Sequence, residues 1–212
     1  EGESTAKMTV DQVKDRLRGE PGTQVTVTIQ RGRRLSFNVE LNRAIVEVPT
    51  AKHDMIPDGI GFLRVVRFTP YTDDRTEEAM RSFRRSGYDS LIIDLRSNPG
   101  GLLSSVIDTA DLFLSDGVIV STRSRVPSES SVYRAQPGML VQDTLPIVVL
   151  IDKGTASAAE ILAGALRDQG RAVIVGETSY GKGSVQQFRA VGEGGFKLTT
   201  SRYYTPSGTK ID

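Results

Sequence analysis

One serine and one lysine in the second half of the chain have surroundings that could support chemistry. A continuous apolar stretch over 147–152 predicts a buried strand, and Ser157 follows it where a helix over 157–169 is expected. The first N–H groups of a helix lack intrahelical partners and carry the positive end of its dipole. They could therefore hold an oxyanion beside the Ser157 hydroxyl, although an ordinary helix-capping serine has the same pattern.

Lys182 lies between two glycines and follows a second predicted buried strand, 171–175. The surrounding segment nearly matches a phosphate-binding loop, but Gly183 stands where that loop needs a hydroxyl, and 185–189 does not have a helical pattern. In an apolar, water-poor site a lysine favours its neutral form, and the neutral amine can accept a proton from a serine hydroxyl. The alternative is a solvated loop lysine.

A third segment, 94–101, places a tight glycine turn between a predicted buried strand (90–96) and a predicted helix (102–114). The amide of Gly100 or Gly101 could supply a second oxyanion donor. The alternative is a turn that needs glycine only for its backbone shape.

Composition removes several other classes of chemistry. There is no cysteine and one histidine, His53, which excludes thiol nucleophiles, thiolate metal sites and histidine-rich metal sites. A Ser-His-Asp triad would have to use His53, so covalent catalysis falls to Ser, Thr, Lys or a carboxylate. The net charge of +1 gives no support to a nucleic-acid or membrane-surface partner, and no apolar run is long enough to span a bilayer.

The remaining pattern predicts a small unit followed by an α/β unit. A helix over 8–18 and strands over 24–29 and 35–41 form a unit too small for its own core, and 43–58 is predicted as a connector. The α/β unit adds a strand over 60–68, a helix over 72–86 and a strand over 117–122. A polar, irregular segment over 123–144 is predicted as an outer hairpin or flap, and 185–191 and 196–204 as an antiparallel pair.

Taken together, these segments resemble the carboxyl-terminal processing peptidases, the tail-specific serine proteases of family S41. The matching residues are Asp94 to Gly101, Ser157-Ala158-Ala159-Glu160-Ile161, and Val175-Gly176-Glu177 with Tyr180-Gly181-Lys182-Gly183 and Gln186. Residues 1–42 are similar to the later half of a PDZ domain. The resemblance therefore implies an α/β, ClpP/crotonase-like peptidase core over 43–212, with a mixed sheet and flanking helices, preceded by a partial PDZ domain.

The resemblance also implies roles for individual residues. Ser157 would be the nucleophile, Lys182 the general base and Gln186 the group that orients the Lys182 amine. The backbone N–H groups of Ala158 and of Gly100 or Gly101 would form the oxyanion hole. Asp168 would have either a catalytic role or a structural salt bridge beside Arg167 and Arg171.

A peptidase of this kind would cleave near the C-termini of unfolded or tail-exposed proteins through a Ser-Lys dyad and an acyl-enzyme. It would need no metal and no cofactor. The resemblance implies export to a bacterial periplasm or cell envelope, or to a chloroplast thylakoid lumen. It leaves an adaptor protein and a homo-oligomer open, and it implies neither a nucleic-acid partner nor a transmembrane segment.

Two departures from the family pattern are visible. Thr155 and Ala159 stand where the family often has further serines, while the nucleophile position is kept. The chain opens without an initiator Met and lacks the first half of a PDZ domain, so we expect a fragment that binds substrate tails poorly. The alternatives are a non-catalytic PDZ-type scaffold and a crotonase-like acyl-CoA enzyme.

Overall fold

The structure is a computed structural model that describes residues 3–32, 34–45, 49–192 and 194–212. The chain divides into two compact units, Glu1–Val48 and Pro49–Asp212.

The first unit consists of a helix and a hairpin. Helix α1 (Val10–Leu17) begins with a capping box in which Thr9 and Gln12 exchange hydrogen bonds, and strands β1 (Gln24–Arg31) and β2 (Leu35–Asn42) pair antiparallel. Arg43 joins the two parts, because its side chain donates to the carbonyl of Leu17 and to the hydroxyl of Thr23. None of the described residues of this unit is buried, as expected for so small a unit.

The second unit is built on a five-stranded mixed sheet in the order β3-β4-β5-β8-β9. Strands β4, β5, β8 and β9 run parallel, and β3 is an antiparallel edge strand. These strands are β3 (Ala51–Ile56), β4 (Ile60–Val65), β5 (Ser90–Asp94), β8 (Ile147–Ile151) and β9 (Val173–Gly176). The parallel arrangement places the ends of β5 and β8, and the loops that follow them, at one edge of the sheet.

A second, antiparallel sheet has the order β10-β11-β6-β7. Its strands are β6 (Val118–Ser124), β7 (Ser131–Arg134), β10 (Ser184–Val191) and β11 (Gly194–Tyr204). The predicted antiparallel pair is confirmed as β10 and β11. Of the segment 123–144, predicted as an outer hairpin or flap, Ser131–Arg134 forms β7, which pairs with β6.

The described part of the second unit also contains three α-helices: α2 (Thr72–Ser86), α3 (Leu103–Asp111) and α4 (Ala158–Asp168). The predicted bounds of α2 are confirmed, and α3 contacts both α2 and α4. Every residue from Ala158 to Leu166 is buried, so α4 lies in the core rather than on the surface. Within the described residues, no helix combines the length and the apolar composition needed to cross a bilayer.

Two predictions about the sheet were wrong. The predicted connector 43–58 contains strand β3, whose exposed residues Lys52, His53 and Asp54 hide its strand pattern. The predicted buried strand 171–175 is β9, an edge strand on which Val173 is 65% exposed and Val175 is 47% exposed. An apolar edge strand has the sequence of a buried one, because only the assembled sheet decides which strand lies outside.

Candidate active site

Strand β8 and a short, fixed loop deliver Ser157 to the N-terminus of α4. The hydroxyl of Thr155 is fully buried, donates to the carbonyl of Leu95 at 2.8 Å, and accepts from the N–H of Asp152 at 3.0 Å. The N–H of Ala156 donates to the carbonyl of Asn98 at 2.9 Å. These bonds tie the loop before the serine to the loop after β5.

Ser157 is the N-cap residue of α4 and has an uncommon backbone, with φ 58° and ψ −117°. A non-glycine residue in this region costs on the order of 1–3 kcal/mol, and such residues cluster at functional sites. The side chain is half-buried at the start of a buried helix. The predicted serine at a strand-to-helix junction is therefore confirmed, and its backbone distinguishes it from an ordinary capping serine.

The loop after β5 is held by a buried carboxylate. Asp94 is fully buried and accepts three hydrogen bonds from Arg96, two of them from the guanidinium at 2.8 and 2.9 Å. Burial of the Asp94 carboxyl raises its pKa, but the hydrogen bonds and the charge of Arg96 outweigh burial and hold the pKa below its usual range. The loop therefore leaves the sheet in one fixed direction.

Gly100 brings this loop against the serine. A Cβ on Gly100 would lie 2.7 Å from the carbonyl oxygen of Ala156, 2.8 Å from the Cβ of Ser157 and 2.9 Å from the nitrogen of Ala158. The N–H of Gly100 donates to the side-chain oxygen of Asn98 at 2.9 Å. In the described part of the chain, the N–H groups of Gly101 and Ala158 have no hydrogen-bond acceptor.

A second carboxylate joins the same two loops. Asp152 accepts from the N–H of Ser97 at 2.8 Å, from its hydroxyl at 3.1 Å, and from the N–H of Gly154 at 2.9 Å. The bond from the Ser97 N–H is the main cause that keeps the pKa of Asp152 below its ordinary value. The loops that carry Ser157 and the two glycines are thus fixed to each other independently of any ligand.

A third carboxylate, Glu160, connects Ser157 with the loop that carries Lys182. Glu160 is 6% exposed, and one of its oxygens accepts from the N–H of Ser157 at 2.7 Å and from the N–H of Lys182 at 2.8 Å. The other oxygen accepts from the hydroxyl of Ser179 at 2.7 Å and from the N–H of Gly181 at 2.6 Å. Because one oxygen serves both residues, the backbone nitrogens of Ser157 and Lys182 lie within two hydrogen-bond lengths of each other.

The side chain of Lys182 is exposed, in contrast to the apolar, water-poor site that the sequence suggested for it. Its amine forms no ion pair or hydrogen bond with any residue the structure describes. Gln186 is also exposed. It lies on β10 opposite Thr199, directly after a β-bulge. The structure thus brings the backbone of Lys182 to Ser157 while its amine remains in water.

Asp168 lies at the opposite end of α4 from Ser157, roughly 16 Å away along an 11-residue helix. Its carboxylate accepts from the N–H of Ser207 at 3.0 Å and from the Nε of Arg167 at 2.8 Å. Burial raises the pKa of Asp168, but the hydrogen bonds from Thr205, Ser207 and Arg167 prevail and lower it to about 2. These contacts favour the structural alternative for Asp168.

The remaining candidates for catalytic or metal-binding roles lie elsewhere. His53 is on the edge strand β3, where its ring contacts Phe83 edge-on at 5.5 Å. Among the described residues, no three His, Cys, Asp or Glu side chains are grouped as a metal site requires.

Sequence reasoning assigned no role to Glu160 or Asp152. The one available signal for Glu160 was its position three residues after a helix-capping serine, which predicts a bond to the N–H of Ser157. Nothing in the sequence indicates that the same carboxylate also accepts from residues 179–182.

Comparison with known proteins gives one family. The model of Peptidase family S41 matches residues 59–212. The carboxy-terminal-processing protease of Bartonella bacilliformis is 42% identical over 220 residues, which cover 100% of this chain and 50% of that protein. The carboxy-terminal processing protease CtpA of Bacillus subtilis is 32% identical, with 99% of this chain and 45% of that protein covered.

The solved structure of a photosystem II D1 C-terminal processing protease is similar over 99% of this chain and 58% of that chain, with a TM-score of 0.68 and 29% identity. The chain spans about half the length of the curated relatives it matches. The family model covers well over half of the 212 residues, and the chain therefore belongs to peptidase family S41.

Proposed function

We propose that this chain is the catalytic part of a serine endopeptidase that cleaves near the C-termini of unfolded or tail-exposed proteins. The observation that supports it most is the Glu160 oxygen that accepts from the N–H groups of both Ser157 and Lys182. A shared acceptor keeps a serine and a lysine adjacent although they are far apart in sequence. Such a pair is an established alternative to the Ser-His-Asp triad.

In the proposed reaction, the Ser157 hydroxyl attacks the carbonyl carbon of the scissile peptide bond. The neutral amine of Lys182 accepts the hydroxyl proton and then donates it to the departing amine, which leaves an ester on Ser157. Water, deprotonated by the same amine, hydrolyses the ester and restores the hydroxyl. All the groups required are side chains and backbone amides of this chain.

The negative charge that develops on the carbonyl oxygen needs fixed donors. We assign the N–H of Ala158 in the first turn of α4, and the N–H of Gly101 as its partner. Gly101 is preferred over Gly100 because the Gly100 N–H already donates to Asn98. The close approach of the glycine turn to Ser157 supports this arrangement.

The exposed Lys182 amine has to be neutral to act as a base. A bound peptide would cover it, and removal of water favours the uncharged form of an amine. Gln186 would then orient the amine by a hydrogen bond from β10. Because the bound substrate would remove water from the amine, the proposed base can be exposed to water in the free protein.

The first unit supports the choice of substrate. We propose that α1 and the β1–β2 hairpin are the later half of a PDZ domain, a module that binds an extended peptide as an added strand and holds its C-terminal carboxylate. Relatives named as carboxy-terminal processing proteases come from bacteria and from a chloroplast. We therefore propose that the protein acts after export, in a bacterial envelope or a thylakoid lumen.

The test uses the complete natural protein in which this chain occurs, together with a protein substrate that has a flexible, apolar C-terminus. Mass spectrometry follows the products for the parent protein and for Ser157→Ala, Lys182→Ala and Gln186→Ala. We expect no detectable cleavage by the first two variants and a rate lower by about tenfold for Gln186→Ala, the cost of one lost hydrogen bond to the amine.

Equal cleavage by the parent and Ser157→Ala would eliminate the proposed nucleophile. Unchanged binding of the peptide by a parent that never cleaves it would favour a peptide-binding scaffold instead.

A further inference from the structure

We infer that Glu160 is a positioning residue, whose carboxylate sets the distance between the nucleophile and the base by fastening the Lys182 loop to the N-terminus of α4. This inference rests on the proposed function, because it assumes that Ser157 and Lys182 react together. It adds a residue that touches neither the substrate nor the transferred proton.

The first step of the argument is the number of donors that meet at Glu160. Four hydrogen bonds of 2.6 to 2.8 Å end on its two oxygens, and three of them come from backbone N–H groups. A buried carboxylate is costly unless all its oxygens are satisfied, and charge-assisted bonds of this length are among the strong ones. Glu160 is therefore held in one position, and it holds its donors in turn.

The second step is the location of those donors. Ser157 lies at the start of α4, whereas Ser179, Gly181 and Lys182 belong to the loop after β9. The loop has three other backbone attachments: the N–H of Glu177 donates to Ile151, that of Tyr180 donates to Thr155, and the carbonyl of Gly183 accepts from the N–H of Tyr203. Between Tyr180 and Gly183, the hydrogen bonds that hold the backbone in the described part of the chain are those to Glu160.

The third step is what a substitution would do. Gln has the same shape as Glu, but its amide offers one acceptor oxygen and one NH2 donor group. In Glu160→Gln the NH2 group must face either the Ser157 and Lys182 N–H groups or the Ser179 and Gly181 donors. In the first orientation two N–H groups oppose the NH2 group; in the second the Ser179 hydroxyl can accept from it, and the Gly181 N–H remains opposed. In either orientation a donor of the loop loses its acceptor, and the loop moves away. A displacement of about 1 Å at a reacting group costs about 100-fold in rate.

The experiment compares Glu160→Gln with a matched control, Glu177→Gln, in the complete natural protein. Glu177 lies in the same loop, but its side chain is exposed and has one contact, to Lys153 at 3.9 Å. We expect kcat of Glu160→Gln to fall by about 100-fold with KM within about twofold of the parent, because the peptide-binding surfaces remain. Glu177→Gln should match the parent in both constants.

Hydrogen exchange followed by mass spectrometry supplies a measurement that does not depend on activity. We expect faster amide exchange in Glu160→Gln for the segment 179–183, and unchanged exchange for β5 and β8. Faster exchange throughout the protein would show a general structural role and would overturn the inference. Parental kcat in Glu160→Gln, with Ser157→Ala inactive, would overturn it as well.

If Glu160→Gln does not fold, the variant Ser179→Ala tests the same inference. It removes one of the four donors and leaves the carboxylate in place, so we expect kcat lower by about fivefold and faster exchange confined to 179–183. No change in either measurement would overturn the inference. If the parent cleaves nothing, the proposed function fails, and the exchange data still decide whether Glu160 fastens the loop.

Discussion

The helix that carries Ser157 and the hairpin that carries Gln186 are stabilised in opposite ways. Residues 158–166 of α4 are all buried, and the carboxylates around its N-terminus have hydrogen-bond partners inside the protein. Residues 186–192 and 194–199 of the β10–β11 hairpin are all exposed, including Phe188 at 70%. The proposed nucleophile, the proposed oxyanion donors and the backbone of Lys182 are therefore preorganised, while Gln186 is presented from an exposed segment.

This difference separates two requirements of the proposed reaction. The tetrahedral intermediate needs donors that do not move, and the loops after β5 and β8, which are hydrogen-bonded to each other, would provide them. The proton acceptor has to be neutral, and a substrate that covers the exposed Lys182 amine favours that form by removing water. Lys182 combines both features, because its backbone is fixed while its amine is exposed.

The largest expected effect concerns packing. Leu162 in α4 is fully buried, and Leu198 in β11 is 49% exposed. We expect Leu162→Ala to lower the free energy of unfolding by about 3 kcal/mol and Leu198→Ala by less than about 1 kcal/mol, because only the first leaves a cavity. Urea denaturation of the two variants measures both values. Equal losses would show that the hairpin packs as tightly as the helix, and would break the comparison.

The next effect concerns the fixed glycine turn beside Ser157, the proposed nucleophile. Gly100 has φ 95°, and its missing Cβ leaves room for Ala156 and Ser157, whereas Gly87 has φ 70° and nothing within 4 Å. We expect Gly100→Ala to reduce kcat/KM by about 100-fold through displacement of the serine. Gly87→Ala should cost about 1 kcal/mol of stability through backbone strain alone and leave kcat/KM unchanged.

For both glycine variants, kcat/KM is measured with the same substrate and stability by the same thermal denaturation protocol. If both variants lose activity equally, the contact of Gly100 with Ser157 has no special importance, and the preorganised half of the site is less rigid than we infer.

The smallest effect concerns Asp168, at the far end of α4. Its pKa of about 2 lies below that of an unfolded aspartate, so its contribution to stability is present above about pH 4 and is lost as the pH falls through about 2. We expect Asp168→Asn to lower the free energy of unfolding by about 2 kcal/mol at pH 7, with the difference from the parent disappearing in acid.

Denaturation at several pH values measures that difference, and kcat at a temperature where both proteins are folded tests the role of Asp168. A structural role leaves kcat near the parental value. A loss of kcat in fully folded Asp168→Asn would restore the catalytic alternative.

Much of the scaffold could be predicted from local patterns. Helix α2 has its predicted bounds, and the junction of strand, Ser157 and helix is where the apolar run and the following helix pattern place it. Both depend on periodicity within one segment, which the sequence contains in full. Strand β3 was missed because its exposed polar residues hide the strand pattern. Strand β9 was predicted as buried because its position at the edge of the sheet depends on which strands pair with it, and its own residues do not specify that.

The site could be predicted only in part, for a related reason. The residue types and spacing in the sequence identify Ser157, Lys182 and Gly100 as candidates, and the structure brings their backbones together. The role of Glu160 depends on donors 19 to 22 positions further along the chain, which only the folded loop after β9 supplies. The hydration of the Lys182 side chain likewise depends on what surrounds it in space.

The backbone of Ser157 also restricts how this position can evolve. Threonine carries the same reactive hydroxyl, but a β-branched residue is strongly disfavoured at positive φ, and Ser157 has φ 58°. Ser157→Thr would thus keep a hydroxyl at this position but strain the backbone of the turn. At Ser157 the shape of the chain is therefore a constraint separate from the proposed nucleophilic role, and it disfavours threonine although threonine has a hydroxyl.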